Sequence, residues 1–223
     1  MTTDKYDAVI LADGDYPKHS IPLQILAEAE FLVCCDNAGK ELIEQKGRIP
    51  DAIVGDGDSV PDSFKKKHKG IYHQVTEQDY NDLTKATRFT IAHLKEIKAE
   101  EPYRIAYLGA TGKREDHTIG NIALMNFYRK VFGIQPVMVT DYGIFTAHEG
   151  CATLPSFLRQ QVSIFNIDAN RIESENLKWS SYAYKELWQG TLNEALSDTF
   201  TLRTDGSFIV YRTHEPKVIR CDL

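Results

Sequence analysis

Apolar, β-branched runs of strand length recur at 6–12, 31–36, 51–56, 70–75, 104–110 and 136–141, and helix-length segments separate most of them. This alternation constrains the fold more than any other feature. Parallel strands need a crossover of a dozen or more residues, usually a helix, so a β-then-α rhythm is the signature of a parallel sheet. The intervening segments have their own period. Across 81–98, Leu83, Ala86, Thr90, Ile91, Leu94 and Ile97 return at helical spacing with charges opposite, and 117–131 carries Ile119, Ile122, Ala123, Met125, Asn126 and Tyr128. Residues 1–141 therefore predict an α/β domain with a mostly parallel sheet flanked by helices. Such sheets hold ligands beyond the carboxyl ends of their strands.

After residue 142 the rhythm changes. Short strand-like runs at 161–167, 177–184, 199–203 and 208–212 follow one another, and only 192–196 hints at a helix. Thr204-Asp205-Gly206-Ser207 separates the last two runs, and Asp-Gly is a strong type I′ hairpin signal. Residues 142–223 predict a second, smaller, antiparallel β domain.

Charge narrows the function classes. Lys plus Arg number 26 against 32 Asp plus Glu, a net charge of -6. Phosphate-backbone binding relies on clustered cations, so no nucleic-acid partner is expected. The one dense basic run, Lys65-Lys66-Lys67-His68-Lys69, reads as a solvated face. No apolar run approaches the ~18 residues of a membrane span. The start, Met1 to Asp7, is polar and lacks a signal pattern. Cys34, Cys35, Cys151 and Cys221 form no Cys-x-x-Cys pair. They read as reduced thiols in a cytoplasmic protein, with Cys34 and Cys35 buried on opposite faces of a strand.

Four polar clusters fall at or just past strand ends. Asp36-Asn37 follows 31–35 and by itself reads as a helix cap. Gly55-Asp56-Gly57-Asp58-Ser59 follows 52–54 and offers two carboxylates in a glycine turn, a compact hard-oxygen site of the kind Mg²⁺ takes. The alternative is a turn whose acids bond their own backbone. Gln78-Asp79-Tyr80-Asn81-Asp82 opens the long helix, with Lys85 one turn beyond Asp82. Asp79 and Asp82 serve either as cap and first-turn acid or as part of a site. Gly109-Ala110-Thr111-Gly112-Lys113-Arg114-Glu115-Asp116-His117 follows 104–108 and combines glycines, amides and cations at a helix start, the makings of a phosphate cradle. It is neither a Walker A loop nor a Gly-x-Gly-x-x-Gly loop. Together the clusters fit Mg²⁺-dependent chemistry on a nucleoside triphosphate without a P-loop.

These motifs, in this order, resemble the thiamine pyrophosphokinase family. The resemblance rests on 50–59, on Gln78-Asp79 with Asn81-Asp82-Leu83 and Lys85-Ala86, on Gly109 to Gly112 with Arg114, Asp116, His117 and Asn121, and on Gly190-Thr191-Leu192-Asn193-Glu194 after Trp188. It implies an α/β nucleotide domain followed by a small β-sandwich. It also implies a homodimer with the active site at the subunit interface. The reaction it implies is transfer of a pyrophosphoryl group from ATP to the hydroxyl of thiamine, releasing AMP. By that resemblance Asp56, Asp58 and Asp82 surround Mg²⁺ and act in catalysis, with Asp36 nearby. Asp36, Asn37, Lys85, Gly109, Thr111, Gly112, Arg114, Asp116 and His117 serve ATP and its phosphates. Gln78, Trp188, Thr191 and Asn193 meet thiamine, although Trp188 reads equally well as β-domain core. Three positions depart from the family pattern: Lys113 replaces a glycine, Leu192 a serine, and Asp13 the asparagine of an Asn-Gly pair. A non-enzymatic thiamine or nucleotide sensor on the same fold is the alternative function.

Overall fold

A computed structural model describes residues 5–218; Met1 to Asp4 and Cys221 lie outside the described residues. Contacts divide the chain into two compact units, 1–123 with 132–141, and 124–131 with 142–223.

Strands and helices alternate up to residue 139, and 124–131 of the last helix belong to the second unit. The order is β1 (Ala8–Leu11), α1 (Ser20–Glu28), β2 (Leu32–Cys35), α2 (Asp36–Lys46), β3 (Ala52–Gly55), α3 (Asp62–Lys67), β4 (Tyr72–Gln74), α4 (Asp82–Glu96), β5 (Arg104–Leu108), α5 (Glu115–Phe132) and β6 (Gln135–Val139). The strands of the first unit lie in the order β6-β5-β1-β2-β3-β4. Every pairing among them is parallel. The fold class expected for this half is the one found.

The central strands explain the order. β1, β2 and β3 read AVIL, LVCC and AIVG, and every residue of all three is buried. Continuous apolar runs of this kind suit strands covered on both faces. Each fully buried Val, Leu or Ile contributes ~1.5–3 kcal/mol. Cys34 and Cys35 are free, buried thiols, as expected, whereas Cys151 is free and exposed. Burial raises both buried thiols' pKa and keeps them protonated.

α4 starts where its sequence says it should. The Asn81 side chain accepts the Thr84 N–H at 3.0 Å, so Asn81 is the N-cap and Asp82 the first-turn acid. Its buried face carries Leu83, Ala86, Thr87, Thr90 and Leu94. Thr87 and Thr90 satisfy their buried hydroxyls on the carbonyls of Leu83 and Ala86.

β1 is flanked by β2 and β5, so the chain leaves β1 on one side and returns on the other. That reversal is a topological switch point, and the loops beyond β1 and β5 open there.

The second unit is antiparallel. It contains β7 (Gly143–Pro155), β8 (Gln160–Asn166), β9 (Ile172–Glu175), β10 (Asn193–Glu194) and β11 (Thr199–Pro216). β11 pairs antiparallel with β7, β8 and β9, and β10 with β8. Val162, Ile164, Ile172, Phe200, Leu202, Phe208 and Val210 form much of its core.

Three expectations fail here. The Asp205-Gly206 hairpin does not form. Both flanking runs belong to the single strand β11, which crosses the dipeptide through a register shift against β7 between Arg203 and Ser207. Acceptors distant in sequence hold that irregularity: Asp205 accepts the N–H groups of Asn170 and Arg171 at 2.8 and 2.9 Å, and Asp168 accepts that of Ser207 at 2.5 Å. Residues 177–184 form no strand beyond an isolated Leu177–Ala195 bridge. Residues 192–196 are not helical and instead contain β10.

Among the described residues, no helix is long and apolar enough to cross a membrane.

Candidate active site

Loops at the carboxyl ends of β1, β2, β3 and β5, with the start of α4, enclose a cleft of about 570 Å³. That volume is in the ordinary range for a small-molecule site, roughly 300–1,000 Å³. Of the residues expected to act, Asp36, Asp56, Gln78, Asp82, Lys85, Gly112, Arg114 and His117 line it. Asn37, Asp58, Gly109, Thr111 and Asp116 are not in its wall, and Trp188, Thr191 and Asn193 belong to the second unit.

The acids converge. One carboxylate oxygen each from Asp36, Asp56 and Asp82 lies within 4.8 Å of the other two. This set differs from the expected Asp56, Asp58 and Asp82 in one member. Asp58 is exposed, and its backbone N–H closes a tight turn onto Asp56 Oδ1 at 3.1 Å. Asp36 takes the place in the cluster.

Asp36 is not the helix cap that its position suggests. The N-cap of α2 is Cys35, with no side-chain cap bond. The Asp36 carboxylate, 2% exposed, faces β3 and β4 instead. Its Oδ2 accepts the Gly57 N–H at 3.0 Å and the Ser59 hydroxyl at 3.2 Å, and its Oδ1 accepts the Tyr72 hydroxyl at 2.6 Å. Gly55 makes room for it, since a Cβ there would overlap the carboxylate. Burial and the bond to Asp36 raise the Tyr72 pKa, so the hydroxyl remains a donor.

Lys85 is 4% exposed and lies between two of the acids, 3.1 Å from Asp82 Oδ1 and 3.5 Å from Asp56 Oδ2. Burial lowers its pKa, but the hydrogen bond and charge of Asp82 and the charge of Asp56 outweigh that and raise it. Asp82 moves the other way from most paired acids. Burial and the charges of Asp56 and Asp36 raise its pKa, against the lowering by Lys85. By formal charge one ammonium stands beside three carboxylates. Clustered hard oxygens with unrelieved repulsion fit a divalent cation such as Mg²⁺.

Another stretch of the wall carries two cations, each paired with an acid. Arg114 holds Asp116 with a bidentate pair, Nε to Oδ1 at 3.1 Å and Nη2 to Oδ2 at 2.6 Å. Both side chains are mostly exposed, so the guanidinium is accessible to a competing anion. Lys113, at φ 55, reaches Asp13 at 2.9 Å. Asn37 also donates to Asp13, at 3.2 Å, and to Glu41 at 3.1 Å. The loops carrying this wall interlock, because Gly14 N–H donates to Gly109 O at 2.7 Å and Asp15 N–H to Thr111 O at 2.8 Å. Gly109 and Thr111 thus brace the wall through backbone bonds.

In the second unit Trp188 is 72% exposed, which overturns the core reading of that residue. Thr191 donates its hydroxyl to the Trp188 carbonyl at 2.7 Å. Asn193 is buried, and its amide is engaged by the Trp179 backbone, accepting at 3.2 Å and donating at 2.8 Å.

Sequence reasoning missed Ser59, Tyr72 and Gln74. The last two sit two apart on β4, a spacing that places them on one face, but nothing local names their partners.

Two family profiles match. "Thiamin pyrophosphokinase, catalytic domain" covers residues 23–135, and "Thiamin pyrophosphokinase, substrate-binding domain" covers 143–211. Among curated proteins none matches significantly by sequence. Solved structures share the fold. Thiamine pyrophosphokinase from Bacillus subtilis aligns over 93% of this chain and 99% of its own, with a TM-score of 0.70 and 18% identity. The Candida albicans enzyme aligns over 93% and 90%, with a TM-score of 0.75 and 16% identity. The yeast enzyme aligns over 94% and 87%, with a TM-score of 0.77 and 15% identity.

Proposed function

This chain belongs to the thiamin pyrophosphokinase family of enzymes, and from that premise we propose that it transfers a pyrophosphoryl group from ATP to the hydroxyl of thiamine, giving thiamine diphosphate and AMP. The observation that carries the reading is the convergence of Asp36, Asp56 and Asp82 in one cleft that Lys85, Lys113 and Arg114 also line. Asp56 and Asp82, with Asp36, would hold Mg²⁺, which when bound neutralises charge on the phosphate oxygens. We assign Asp58 to the outer edge of that site.

The chain's own groups do the rest. Lys85 compensates Asp56 and Asp82 and stands ready for a phosphate oxygen. Arg114 exchanges Asp116 for phosphate, a like-for-like swap of bidentate acceptors. Gly112 and His117 border the same wall, with Gly109, Thr111 and Asn37 supporting it. Asp82, at the start of α4 in this cluster, would be the carboxylate to take the hydroxyl proton of thiamine. The acidic cleft also attracts the cationic thiazolium ring.

Gln78 and the β-domain residues Trp188 and Thr191 would meet thiamine. Asn193 shapes that segment from beneath. Residues 1–141 form the nucleotide domain in this reading and 142–223 the thiamine domain. The exposed Trp179, Tyr182, Leu187, Trp188, Leu192 and Leu196 support a homodimer with the active site at the subunit interface. The buried thiols Cys34 and Cys35 support a cytoplasmic setting.

Phosphorus NMR of the purified protein with thiamine, ATP and Mg²⁺ tests the reading. AMP and thiamine diphosphate should appear in equal amounts. Both should vanish with chelator and in Asp56→Ala, whose fold should survive. AMP release without thiamine would make the protein a nucleotide hydrolase, and ligand binding without turnover would make it a sensor.

A further inference from the structure

The carboxylate loop after β3 is held from the edge strand beside it. β4 is three residues long and ends the parallel sheet. Tyr72 and Gln74 share one of its faces, and His73 takes the other, its ring 4.5 Å from that of Phe89. The Tyr72 hydroxyl donates to Asp36 Oδ1 at 2.6 Å. Gln74 Nε2 donates to the backbone carbonyl of Asp56, also at 2.6 Å. The partner there is a carbonyl, which only accepts, so the nitrogen of the amide must face it.

Asp36 passes the constraint on. Its Oδ2 receives the Gly57 N–H and the Ser59 hydroxyl, from the loop that bears Asp56. Three of the about four acceptor sites of a carboxylate are thus used to fix Asp36 and the loop together, leaving about one for a ligand. The Asp56 backbone is gripped from β4 directly and through Asp36.

We propose that Tyr72 and Gln74 are positioning residues, which set the divalent-cation affinity of the Asp36–Asp56–Asp82 cluster by fixing the Asp36 carboxylate and the Asp56 backbone from one face of β4. The proposal rests on the reading that this cluster holds the metal. Mg²⁺ demands near-octahedral geometry and tolerates misplaced ligands poorly. Outer partners of metal-bound carboxylates commonly control affinity by orienting them. Neither side chain lines the cleft.

The test is Mn²⁺ binding to the full chain without nucleotide, followed by the spin-resonance signal of the free ion. Parent, Tyr72→Phe, Gln74→Leu and Asp56→Asn are compared. Binding in Tyr72→Phe and in Gln74→Leu should weaken about 10-fold, the scale for losing an outer partner of a metal ligand. Their turnover should fall at low Mg²⁺ and recover as Mg²⁺ is raised, with the KM for thiamine unchanged. Parental Mn²⁺ affinity in both variants would overturn the proposal. So would weak binding with turnover that added Mg²⁺ does not restore, because that marks general distortion. Gln74 is exposed, so its variant decides the matter if Tyr72→Phe does not fold. Failure of the parent to bind Mn²⁺, or undiminished binding in Asp56→Asn, would instead remove the metal reading itself.

Discussion

Lys113 and Asp13 both break the family pattern, and in the structure they break it together. Their side chains form an ion pair at 2.9 Å on the rim of the cleft. Lys113 sits at φ 55, a region that costs a non-glycine residue roughly 1–2 kcal/mol. An exposed pair returns only ~0–1 kcal/mol, so the pair does not compensate through stability. Under the proposed function its use would lie in holding an ammonium where the phosphates of ATP would sit. Lys113→Gly should therefore leave stability within about 1 kcal/mol of the parent while raising the KM for ATP more than that for thiamine. Asp13→Asn should change the KM for ATP less in the Lys113→Gly background than alone. Equal effects in both backgrounds, read from a double-mutant cycle, would show that the residues act independently. The acids of the site were legible as residue types after strands, because carboxylates and glycines at such positions have few uses. The part played by Asp36 was not. Its role depends on Gly57, Ser59 and Tyr72, which are distant in sequence, whereas its local setting is that of a cap.

At the scale of elements, periodicity carried the reading of the first unit. Buried parallel strands read as continuous apolar runs, and α4 shows its stripe directly, whereas of the set expected to line α5 only Met125 and Tyr128 are buried and Ile119 is 65% exposed. β4 could be placed from its sequence, but its bracing of the carboxylate loop could not. In the second unit local signals were overruled. Asp205-Gly206 favours a hairpin locally, yet Asp168 and Asp205 hold a bulge in one long strand, and no window of sequence contains both halves of that bargain. The segment between β9 and β10 also escaped, since it is held by side-chain bonds such as those of Asn193 with the Trp179 backbone. It ends in Trp188, exposed, and in Leu192, exposed at φ 66. A non-glycine residue held in that region marks a place where the surroundings fix the backbone. Trp188→Ala should raise the KM for thiamine several-fold, on the scale of about 1 kcal/mol or more for an aromatic face lost from a cation, and leave the KM for ATP within error. An unchanged thiamine KM would leave this residue without a part in substrate binding.

At the scale of the whole molecule, stability should depend on acid in a way set partly by one histidine. Burial, with the nearby charges of Arg212 and Arg129, lowers the His148 pKa from 6.5 to about 4. The folded chain keeps this ring neutral while the unfolded chain protonates it. The stabilisation is thus complete above pH 6.5 and is lost as pH falls towards 4, by roughly 3 kcal/mol at most. His148→Gln should flatten the fall of melting temperature between pH 7 and 4. An identical fall in both proteins would contradict the assignment. The chemistry of the whole molecule rests on a simpler claim, that the starts of α2 and α4 and the loop after β3 place Asp36, Asp56 and Asp82 around a divalent cation. Anomalous scattering from crystals grown with Mn²⁺, thiamine and a non-hydrolysable ATP analogue addresses it most directly. The account predicts a peak bonded to carboxylate oxygens of that trio and to the phosphates. A bound nucleotide with its Mn²⁺ peak away from all three aspartates would contradict it.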